Sequence, residues 1–522
     1  MSFMGKLQQT TDRKYNMSIT ENGAVGYKTT GTKLLDMNFK LSSYRNLSES
    51  EIISDFRSAF NEDPMLAMKW LFYVRDAREG QGERRFFRTV MHDLCSHGFN
   101  DSSMKVLISI IPVYGRYDDM WCLLDTKYAG YIFEYVRNTL AHDLKSARDG
   151  KSVSLLAKWL PSENTSSAQT RKYATIIRNG IGFSSKKYRK VLSFLRSYTD
   201  VTEVKMSSNS WGDIDYEKVP SRANLIYKDA FMKHDSVRRT EYLDALSEGK
   251  AKINASVLYP HDIVHKYNIH GRYGNYDVDP AIEELWKNLP DLVKGDDSTI
   301  VVADGSGSMR SRVGNTQVSA LEIANALAIY FAERCNGEFK NSYITFSERP
   351  QIVELGHGSL KSKILTALEH DECANTNIEA VFDLILETAI ESHMKQDEIP
   401  HNILIVSDME FDSCVDCGYD GGNRGYWSRR KSPDANLFEN IKHKFEMNGY
   451  KIPRIIFWNV CSRTNTIPMK ENDLGCVLVS GFSVNTMKMV MSNQTDPLQA
   501  LLDVINSERY APIEEAMKGG YR

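Results

Sequence analysis

Residues 299–309 read TIVVADGSGSM, an unbroken apolar run that ends in an aspartate and then alternates glycine with serine. A short apolar run bounded by turn residues is typical of a buried strand. Asp304 therefore ends a predicted strand, and Ser306 and Ser308 lie in the turn that follows it. This stretch is compatible with a metal site, with a serine nucleophile, or with a tight turn that binds nothing.

Residues 296–522 continue the same alternation of strands and helices. Predicted strands lie in NSYITFS, HNILIVSDMEF, RIIFWNV and CVLVSGFS, and helical segments such as SALEIANALAIYFAERC separate them. Apolar strands that alternate with helices predict a doubly wound, Rossmann-like α/β fold with a mostly parallel sheet. Ligands of such sheets bind beyond the carboxyl ends of the strands, and Asp304 and Asp408 both end a predicted strand.

The residues around the turn favour a metal over a nucleophile. A nucleophile elbow requires glycine two residues before and after the serine, which neither Ser306 nor Ser308 has, and an aspartyl-phosphate site would need an acid where Ser306 stands. Magnesium takes about six hard oxygen ligands. The two hydroxyls can reach one ion while Asp304 binds it through water; an empty turn with incidental hydroxyls is the alternative.

Residues 46–295 have the pattern of a helical domain, preceded by a polar N-terminal arm over residues 1–45. Ser48 and Glu51 form a predicted capping box, and Pro64 begins the next predicted helix. Further helices are predicted near residues 102–111, 130–148, 168–179, 184–197, 221–233, 236–247 and 280–289. Consecutive short helices indicate antiparallel pairs in the style of a HEAT-like α-solenoid.

Composition and terminal sequence predict a cytoplasmic protein. With 42% hydrophobic and 25% charged residues, the chain has the composition of a soluble globular protein. No apolar run is long enough to cross a bilayer, and the N-terminal MSFMGKLQQTTDRKYN lacks the apolar region of a secretory signal. Eight scattered cysteines are typical of reduced thiols rather than of a disulfide framework.

The net charge of −3 is distributed unequally between the two halves. Residues 1–295 contain 43 Lys+Arg and 36 Asp+Glu, a net of +7, which leaves 22 and 32, a net of −10, for the remainder. No acid occurs between Glu163 and Asp200. The cations of that stretch are Arg171, Lys172, Arg178, Lys186, Lys187, Arg189, Lys190 and Arg196, interleaved with Tyr173, Phe183, Tyr188 and Phe194.

Such a stretch predicts a nucleic-acid interface, because cations neutralise phosphates and aromatic rings stack on unpaired bases. The alternative is a solvated basic helix face whose aromatic residues belong to the core. A second cationic cluster, YVRDAREGQGERRFFR (73–88), includes Arg84 and Arg85. Its three acids leave intrahelical ion pairing as the alternative explanation for its charge.

The acidic half resembles the von Willebrand factor A domain with its metal-ion-dependent adhesion site. That site has the pattern Asp-x-Ser-x-Ser, then a distant Thr and a distant Asp, which here falls on Asp304, Ser306, Ser308, Thr376 and Asp408. Ala374 and Asn375 stand where the family often has two glycines. The resemblance implies Mg²⁺, or another divalent cation such as Mn²⁺, with an open position for a carboxylate or phosphate of a partner, and hence binding rather than catalysis.

The whole chain resembles the Ro ribonucleoprotein layout, a helical TROVE module followed by an A domain, and is closer to a family of unassigned function with that layout. The resemblance is carried by WLFYVRDAREGQGERR (70–85), VYGRYDDMW (113–121), SLLAKWLPSEN (154–164), GDIDYEKVPS (212–221) and GKAKINASVLYPHDIV (249–264). It implies single-stranded RNA ends or small structured RNA as partners.

These features together predict a monomeric, non-enzymatic RNA-binding protein that carries magnesium. A metal-dependent protein-interaction scaffold without RNA binding is the alternative, and an RNA-processing enzyme is a third. Cys414 and Cys417 lack a second ligand pair at a spacing suited to zinc. His261 and His265 can share a helix face, in a structural or RNA-facing role.

Overall fold

The computed structural model combines a helical N-terminal part with an α/β C-terminal part, as the sequence predicts. It describes residues 3–4, 7–8, 11, 15–97, 100–267, 277–291, 293, 298–314, 316–346, 349–371, 376–413, 436–490 and 494–518. Cys414, Cys417, Ala374 and Asn375 lie outside these residues. Within them, no helix has the length and apolar content needed to cross a bilayer.

The helices predicted in the first half are all present. In chain order they are α1 Lys33–Phe39, α2 Glu49–Glu62, α3 Pro64–Arg75, α4 Arg85–Ser96, α5 Asp101–Tyr114, α6 Ala129–Arg148, α7 Leu156–Trp159, α8 Ala168–Gly180, α9 Ser185–Tyr198, α10 Thr202–Ser207, α11 Ser221–His234, α12 Ser236–Ser247, α13 Pro260–Val264 and α14 Pro280–Lys287. The Ser48–Glu51 capping box is confirmed, since each residue's side chain accepts a hydrogen bond from the other's backbone.

The second half is built on a six-stranded sheet. A separate hairpin pairs β1 Met17–Ile19 with β2 Val25–Tyr27, and the sheet contains β3 Thr299–Asp304, β4 Ser342–Phe346, β5 Gln351–Glu354, β6 Asn402–Ser407, β7 Arg454–Asn459 and β8 Cys476–Ser480. The strand order is β5-β4-β3-β6-β7-β8, and all neighbours are parallel except β4 and β5. The sequence gives no sign of β5 because Val353 is its one fully buried residue.

Helices cover both faces of this sheet. They are α15 Ala320–Arg334, α16 Leu360–Glu369, α17 Glu379–Glu391, α18 Leu437–Met447, α19 Met487–Val490 and α20 Pro497–Ile505; a last helix, α21 Ala511–Lys518, follows them in the chain. Successive side chains of a strand point to opposite faces. Phe457 on β7 contacts Phe438 of α18 at 4.7 Å between ring centroids, and the next residue, Trp458, contacts Phe331 of α15 at 5.3 Å. Helices α15 and α18 therefore lie on opposite faces.

The N-terminal segment, residues 15–45, reaches the α/β part. The backbone N–H of Tyr27 donates to the carbonyl of Ile467 at 2.9 Å, and helix α1 packs against β8. Beyond α1, the backbone N–H of Ser42 donates to Ser480 Oγ at 2.9 Å, and Asn459 donates to the carbonyl of Phe39 at 2.8 Å. The segment predicted as a polar arm therefore contributes a hairpin and a helix to the packing of the sheet.

The C-terminal helices, which follow the α/β part in the chain, pack on the helical part. Helix α21 contacts α3 and α5, and the ring of Tyr510 stacks on Tyr114 with 5.7 Å between centroids. Arg509 forms a two-pronged ion pair with the fully buried carboxylate of Asp76 at the end of α3. Both ends of the described chain therefore tie the two parts together.

Replacing Arg509 with alanine tests this connection. Arg509→Ala leaves the buried Asp76 carboxylate without its cationic partner, and we expect a loss of roughly 3 kcal/mol in the free energy of unfolding. Lys518→Ala, which removes an exposed ion pair with Glu514 on the same helix, should cost about 0.5 kcal/mol or less. Urea unfolding of the two variants measures the difference, and equal losses would contradict a connecting role for Arg509.

Candidate metal centre and basic face

Asp304 ends β3 and is fully buried, with 0% of its surface exposed. Ser407 Oγ donates a 2.5 Å hydrogen bond to one carboxylate oxygen, and the backbone N–H of Ser306 donates a 2.9 Å bond to the other. Burial is the largest influence and raises the pKa of the Asp304 carboxyl above its usual range, while these hydrogen bonds lower it. Uncharged hydrogen-bond donors therefore hold the Asp304 carboxylate in place, although it is buried away from water.

The loop after Asp304 brings two hydroxyl groups together. A 3₁₀ turn over Gly307–Arg310 places Ser308 Oγ 3.0 Å from Ser306 Oγ. Ser306 is buried, Ser308 is half-buried and Gly307 is exposed, so the pair lies just below the surface. The path requires Gly305, because a β-carbon there would lie 2.9 Å from Oγ1 of Thr345 on β4.

Asp408 follows β6, which pairs in parallel with β3, so both aspartates lie at the same end of the sheet. Burial raises the pKa of the Asp408 carboxyl, the negative charge of Asp304 raises it further, and a hydrogen bond with Ser308 opposes both. Arg463 Nη2 lies 3.4 Å from an Asp408 oxygen. The carboxylates and hydroxyls converge where the connections from β3 and β6 lead to opposite sides of the sheet, the usual ligand position in such folds.

Thr376 is held beside the segment that follows β6. Its backbone N–H donates to Asp412 Oδ2 at 3.0 Å, and its carbonyl accepts from the backbone N–H of Asp412 at 3.0 Å. Its hydroxyl oxygen accepts a 2.9 Å hydrogen bond from Asn22, in the turn of the N-terminal hairpin. The structure therefore places all five residues of the predicted metal site at the carboxyl end of the sheet.

The donor set of these residues suits a hard divalent cation. It consists of two carboxylates and three hydroxyls, and oxygen donors of this kind are the ligands that Mg²⁺ prefers. Two buried acids whose pKa values are raised also gain most from a nearby positive charge. Among the described residues, no group of three or more His, Cys, Asp or Glu side chains is arranged to hold a metal ion. Hydroxyl ligands are therefore essential to a metal site here.

Sequence reasoning missed the residues that support this site. Glu410 is fully buried, and its carboxylate accepts hydrogen bonds from the backbone N–H groups of Arg463 and Thr464 at 2.8 Å and of Glu21 at 3.0 Å. Asp412, two residues further on, holds Thr376. Acids stand at every second residue of this segment, at Asp408, Glu410 and Asp412. This spacing could have pointed to a supporting role, since the structure shows the first two buried and the third half-buried.

Helices α8 and α9 display most of the predicted nucleic-acid contacts on their outer sides. Tyr188, Leu192 and Leu195 of α9 are buried, and Tyr188 donates to the carbonyl of Pro161 at 2.8 Å. The opposite side of the two helices carries six exposed cations, here named the basic face: Arg171, Lys172, Lys186, Lys187, Arg189 and Lys190. Glu163 joins the two helices, with Arg178 Nε at 3.3 Å and Arg189 Nε at 3.8 Å from its carboxylate.

Aromatic rings lie beside the basic face. Phe194 and Tyr198 are 46% and 38% exposed, and their ring centroids lie 6.4 Å apart. Lys187 Nζ lies 4.0 Å from the centroid of the half-buried Phe183 ring. Exposed rings of this kind are available to stack on bases, whereas Tyr188, predicted as an interleaved contact, is a core residue.

Arg196 differs from the other predicted cations. Its guanidinium donates to the carbonyls of Ala157 and Leu160 at 2.8 and 2.7 Å and to Ser162 Oγ at 2.8 Å. These bonds fix the short helix α7 and the turn after it against α9. Arg196 is therefore a structural arginine, and we leave it out of the basic face.

Arg84 and Arg85 lie at the start of α4 and do not belong to the basic face. Both line a cavity between the helical and α/β parts, and Arg85 donates to the carbonyls of Tyr44 and Leu47. Ion pairs neutralise only part of the positive charge of residues 73–88. Arg75 and Arg88 pair with the buried Asp119 of another segment and not with acids of their own helices.

The two histidines singled out by the sequence have different surroundings. His261 is buried, and burial lowers its pKa to about 4. His265 Nδ1 lies 2.7 Å from a carboxylate oxygen of Glu322 on α15, which raises its pKa. His265 therefore joins the two parts of the chain, which fits the structural one of the two roles, structural or RNA-facing, that the sequence left open.

Two family models match the chain, and both carry the description "domain of unknown function". DUF7788 matches residues 298–515, and DUF2828 matches residues 20–97 and 133–295. The chain is 29% identical to "Uncharacterized protein L728" of Acanthamoeba polyphaga mimivirus over 537 aligned residues, which cover 95% of this chain and 89% of that protein. A solved structure, that of the Deinococcus radiodurans RO (RSR) protein, is similar with a TM-score of 0.42 and 14% identity, covering 83% of this chain and 92% of that one.

The structural role of Arg196 leads to a prediction. Arg196→Gln leaves two buried carbonyls and a hydroxyl without their charged donor, and we expect the free energy of unfolding to fall by about 2 kcal/mol. Lys190→Gln, on the exposed side of the same helix, should change it by less than about 0.5 kcal/mol. Urea unfolding followed by circular dichroism provides the comparison; an Arg196→Gln variant as stable as Lys190→Gln would show that these hydrogen bonds contribute nothing.

Proposed function

We propose that this protein binds single-stranded RNA on its basic face and holds a divalent cation at the carboxyl end of its sheet. The observation that carries the first part is the basic face itself: six exposed cations on two adjacent helices, in a stretch of the chain without acids and beside two exposed aromatic rings. Cations release counterions from phosphates, and aromatic rings accept unpaired bases.

The position of Lys186 and Lys187 supports an anionic ligand. Both lie in the first turn of α9, which contains no acid. A helix N-terminus carries partial positive charge, so cations there are destabilising by roughly 0.3–1 kcal/mol each. A phosphate backbone offsets both this repulsion and the repulsion among the neighbouring lysines.

The second part of the proposal concerns the metal centre. Asp304, Ser306, Ser308, Thr376 and Asp408 would hold Mg²⁺ or Mn²⁺ in the manner of the adhesion site that their pattern resembles, and the α/β part would be a von Willebrand factor A domain. A bound ion with so few carboxylates remains able to accept an acidic group from a partner. Ser407 and Asp412 hold Asp304 and Thr376 by direct hydrogen bonds, and Glu410 holds the backbone of Arg463, whose side chain lies beside Asp408.

The proposed activity is binding and not turnover. Within the described residues, the hydroxyls of Ser306 and Ser308 bond to each other and to the two aspartates, and to no histidine. A serine nucleophile requires an adjacent general base. The serines act as oxygen donors in this proposal, and the helical part presents RNA as an α-solenoid of the TROVE type.

Neutralising two lysines tests RNA binding. Lys186→Gln with Lys187→Gln should weaken binding of a single-stranded 20-nucleotide RNA and lower the slope of log K against log salt by about 1.4, since each phosphate contact on a single strand contributes about 0.7. The melting temperature should stay equal or rise, because the helix N-terminus loses unfavourable charge. Fluorescence anisotropy at several salt concentrations gives both quantities.

A matched control removes two exposed lysines elsewhere, Lys105→Gln with Lys340→Gln. This control should bind RNA like the unaltered protein. Equal weakening in both double variants would mean that net charge alone attracts RNA, and no binding by any form would leave a protein-interaction scaffold as the better account. Single-stranded DNA and duplex RNA of the same length serve as further probes of the proposed preference.

Asp304→Asn tests the metal centre. Mg²⁺ should raise the melting temperature of the unaltered protein, by an amount equivalent to about 2.7 kcal/mol at 100 times its Kd. In EDTA the variant should be as stable as the unaltered protein or more stable, because a neutral amide replaces one of two buried carboxylates. Mg²⁺ should not stabilise it, whereas Asp397→Asn, an exposed control, should respond normally. A full response to Mg²⁺ by Asp304→Asn would refute the assignment of ligands.

A further inference from the structure

A cavity lies where the helical part meets the α/β part, and neither part of the proposed function uses it. It encloses about 570 Å³ and is here named the junction cavity. Its wall includes residues 82–85 at the start of α4, residues 256–259 and 261–262 around the start of α13, and residues 316–318 ahead of α15. A volume of this size is within the range of small-ligand sites in proteins.

The wall of the junction cavity is rich in arginine. Six arginines line it, and acids balance three of them: Arg45 pairs with Glu83, Arg75 with the buried Asp119, and Arg222 with Asp262. The remaining three are Arg84, Arg85 and Arg116. Of the two acids in the wall, Glu83 and Asp262, each is already engaged by an arginine.

Arg84 and Arg116 have no carboxylate within ion-pair distance among the described residues. The guanidinium of Arg116 lies 4.5 Å from the ring centroid of Trp159, a cation–π contact, and Arg116 also lines the cavity. Burial lowers the pKa of Arg116 to about 10, and the positive charges of Arg84 and Arg75 contribute to the shift. Asp118 and Asp119 oppose part of this shift, but both already pair with Arg75 or Arg88, so the cavity keeps an excess of positive charge.

Two neutral features of the wall also suit an anion. His261 is 5% exposed, and its Nδ1 has no hydrogen-bond partner in the structure although the residue lines the cavity. Helix α4 begins at Arg85 without a side-chain cap, so the N–H groups of its first turn have no side-chain acceptor there. With its single proton on Nδ1, the neutral His261 ring is a donor, as are the N–H groups of an uncapped helix N-terminus, and an anionic oxygen accepts from both.

We propose that the junction cavity binds a phosphate monoester carried by a nucleoside. Arginine forks match the paired oxygens of phosphate, and a dianion is needed to balance several guanidinium groups at once. The volume exceeds what an isolated phosphate fills, which leaves room for the attached sugar and base. The group belongs either to a free nucleotide or to the phosphorylated end of an RNA strand; both present the same chemistry to Arg84 and Arg116.

The experiment compares phosphorylated and unphosphorylated forms of the same probes. Isothermal titration of the full chain with uridine 5′-monophosphate and with uridine, and anisotropy with a ten-nucleotide RNA bearing a 5′-phosphate or a 5′-hydroxyl, separate the two sources. The phosphorylated member of at least one pair should bind at least about tenfold more tightly. If the nucleotide alone meets this expectation, the ligand is a free nucleotide; if the RNA alone does, it is a strand end. Equal binding within both pairs overturns the proposal.

Variants tie the effect to the cavity. Arg84→Gln with Arg116→Gln should abolish the preference for the phosphorylated probe, while the control pair Lys105→Gln with Lys340→Gln should keep it. Because neither Arg84 nor Arg116 forms an ion pair with any residue that the structure describes, the first double variant should melt within a few degrees of the unaltered protein. A preference that survives in it overturns the proposal.

This result is distinguishable from a failure of the basic face. Lys186 and Lys187 lie on α9, outside the cavity wall. The variant Lys186→Gln with Lys187→Gln should therefore still prefer the phosphorylated probe, even where its overall affinity for RNA falls. Loss of the preference in that variant as well would show that the phosphate binds on the basic face and would contradict a separate site.

Discussion

The buried carboxylate of Asp304 is the constraint around which the α/β part is organised. It lies where β3 and β6, adjacent and parallel, direct their connections to opposite sides of the sheet. An ionised carboxylate without water is costly unless donors surround it, and Ser407 from the neighbouring strand and the backbone of Ser306 supply them. The second acid, Asp408, adds repulsion at the same place. A divalent cation would remove that repulsion, and this is the physical basis of the proposed metal site.

The two parts of the chain are connected by their ends, which bears on how their sites act together. The N-terminal hairpin supplies Asn22 to the hydroxyl of Thr376, and Glu410 accepts from the backbone of the same hairpin. At the other end, Arg509 joins α21 to Asp76 in the helical part. Segments that contact the candidate metal site are therefore continuous in sequence with the helical part, and the junction cavity lies between the two parts.

Local patterns in the sequence predicted most of the fold. Apolar runs identified the five parallel strands, and the capping box at Ser48 and the proline at Pro64 marked helix starts, because these signals depend on neighbouring residues alone. Strand β5 and the N-terminal hairpin were missed because they are short and half-exposed. The proposed metal ligands were predicted from their pattern, but Asn22 and Arg116 owe their positions to contacts between distant segments. The structural hydrogen bonds of Arg196 were missed for the same reason, since its partners lie more than 30 residues away.

Anomalous diffraction from crystals of the full chain grown with Mn²⁺ tests the proposed metal site most directly. We expect one strong anomalous peak at the carboxyl ends of β3 and β6, with Ser306 Oγ and Ser308 Oγ at about 2.0–2.2 Å, typical of oxygen ligands to such ions. A crystal that binds manganese elsewhere and leaves Asp304 and Asp408 with water alone would contradict it.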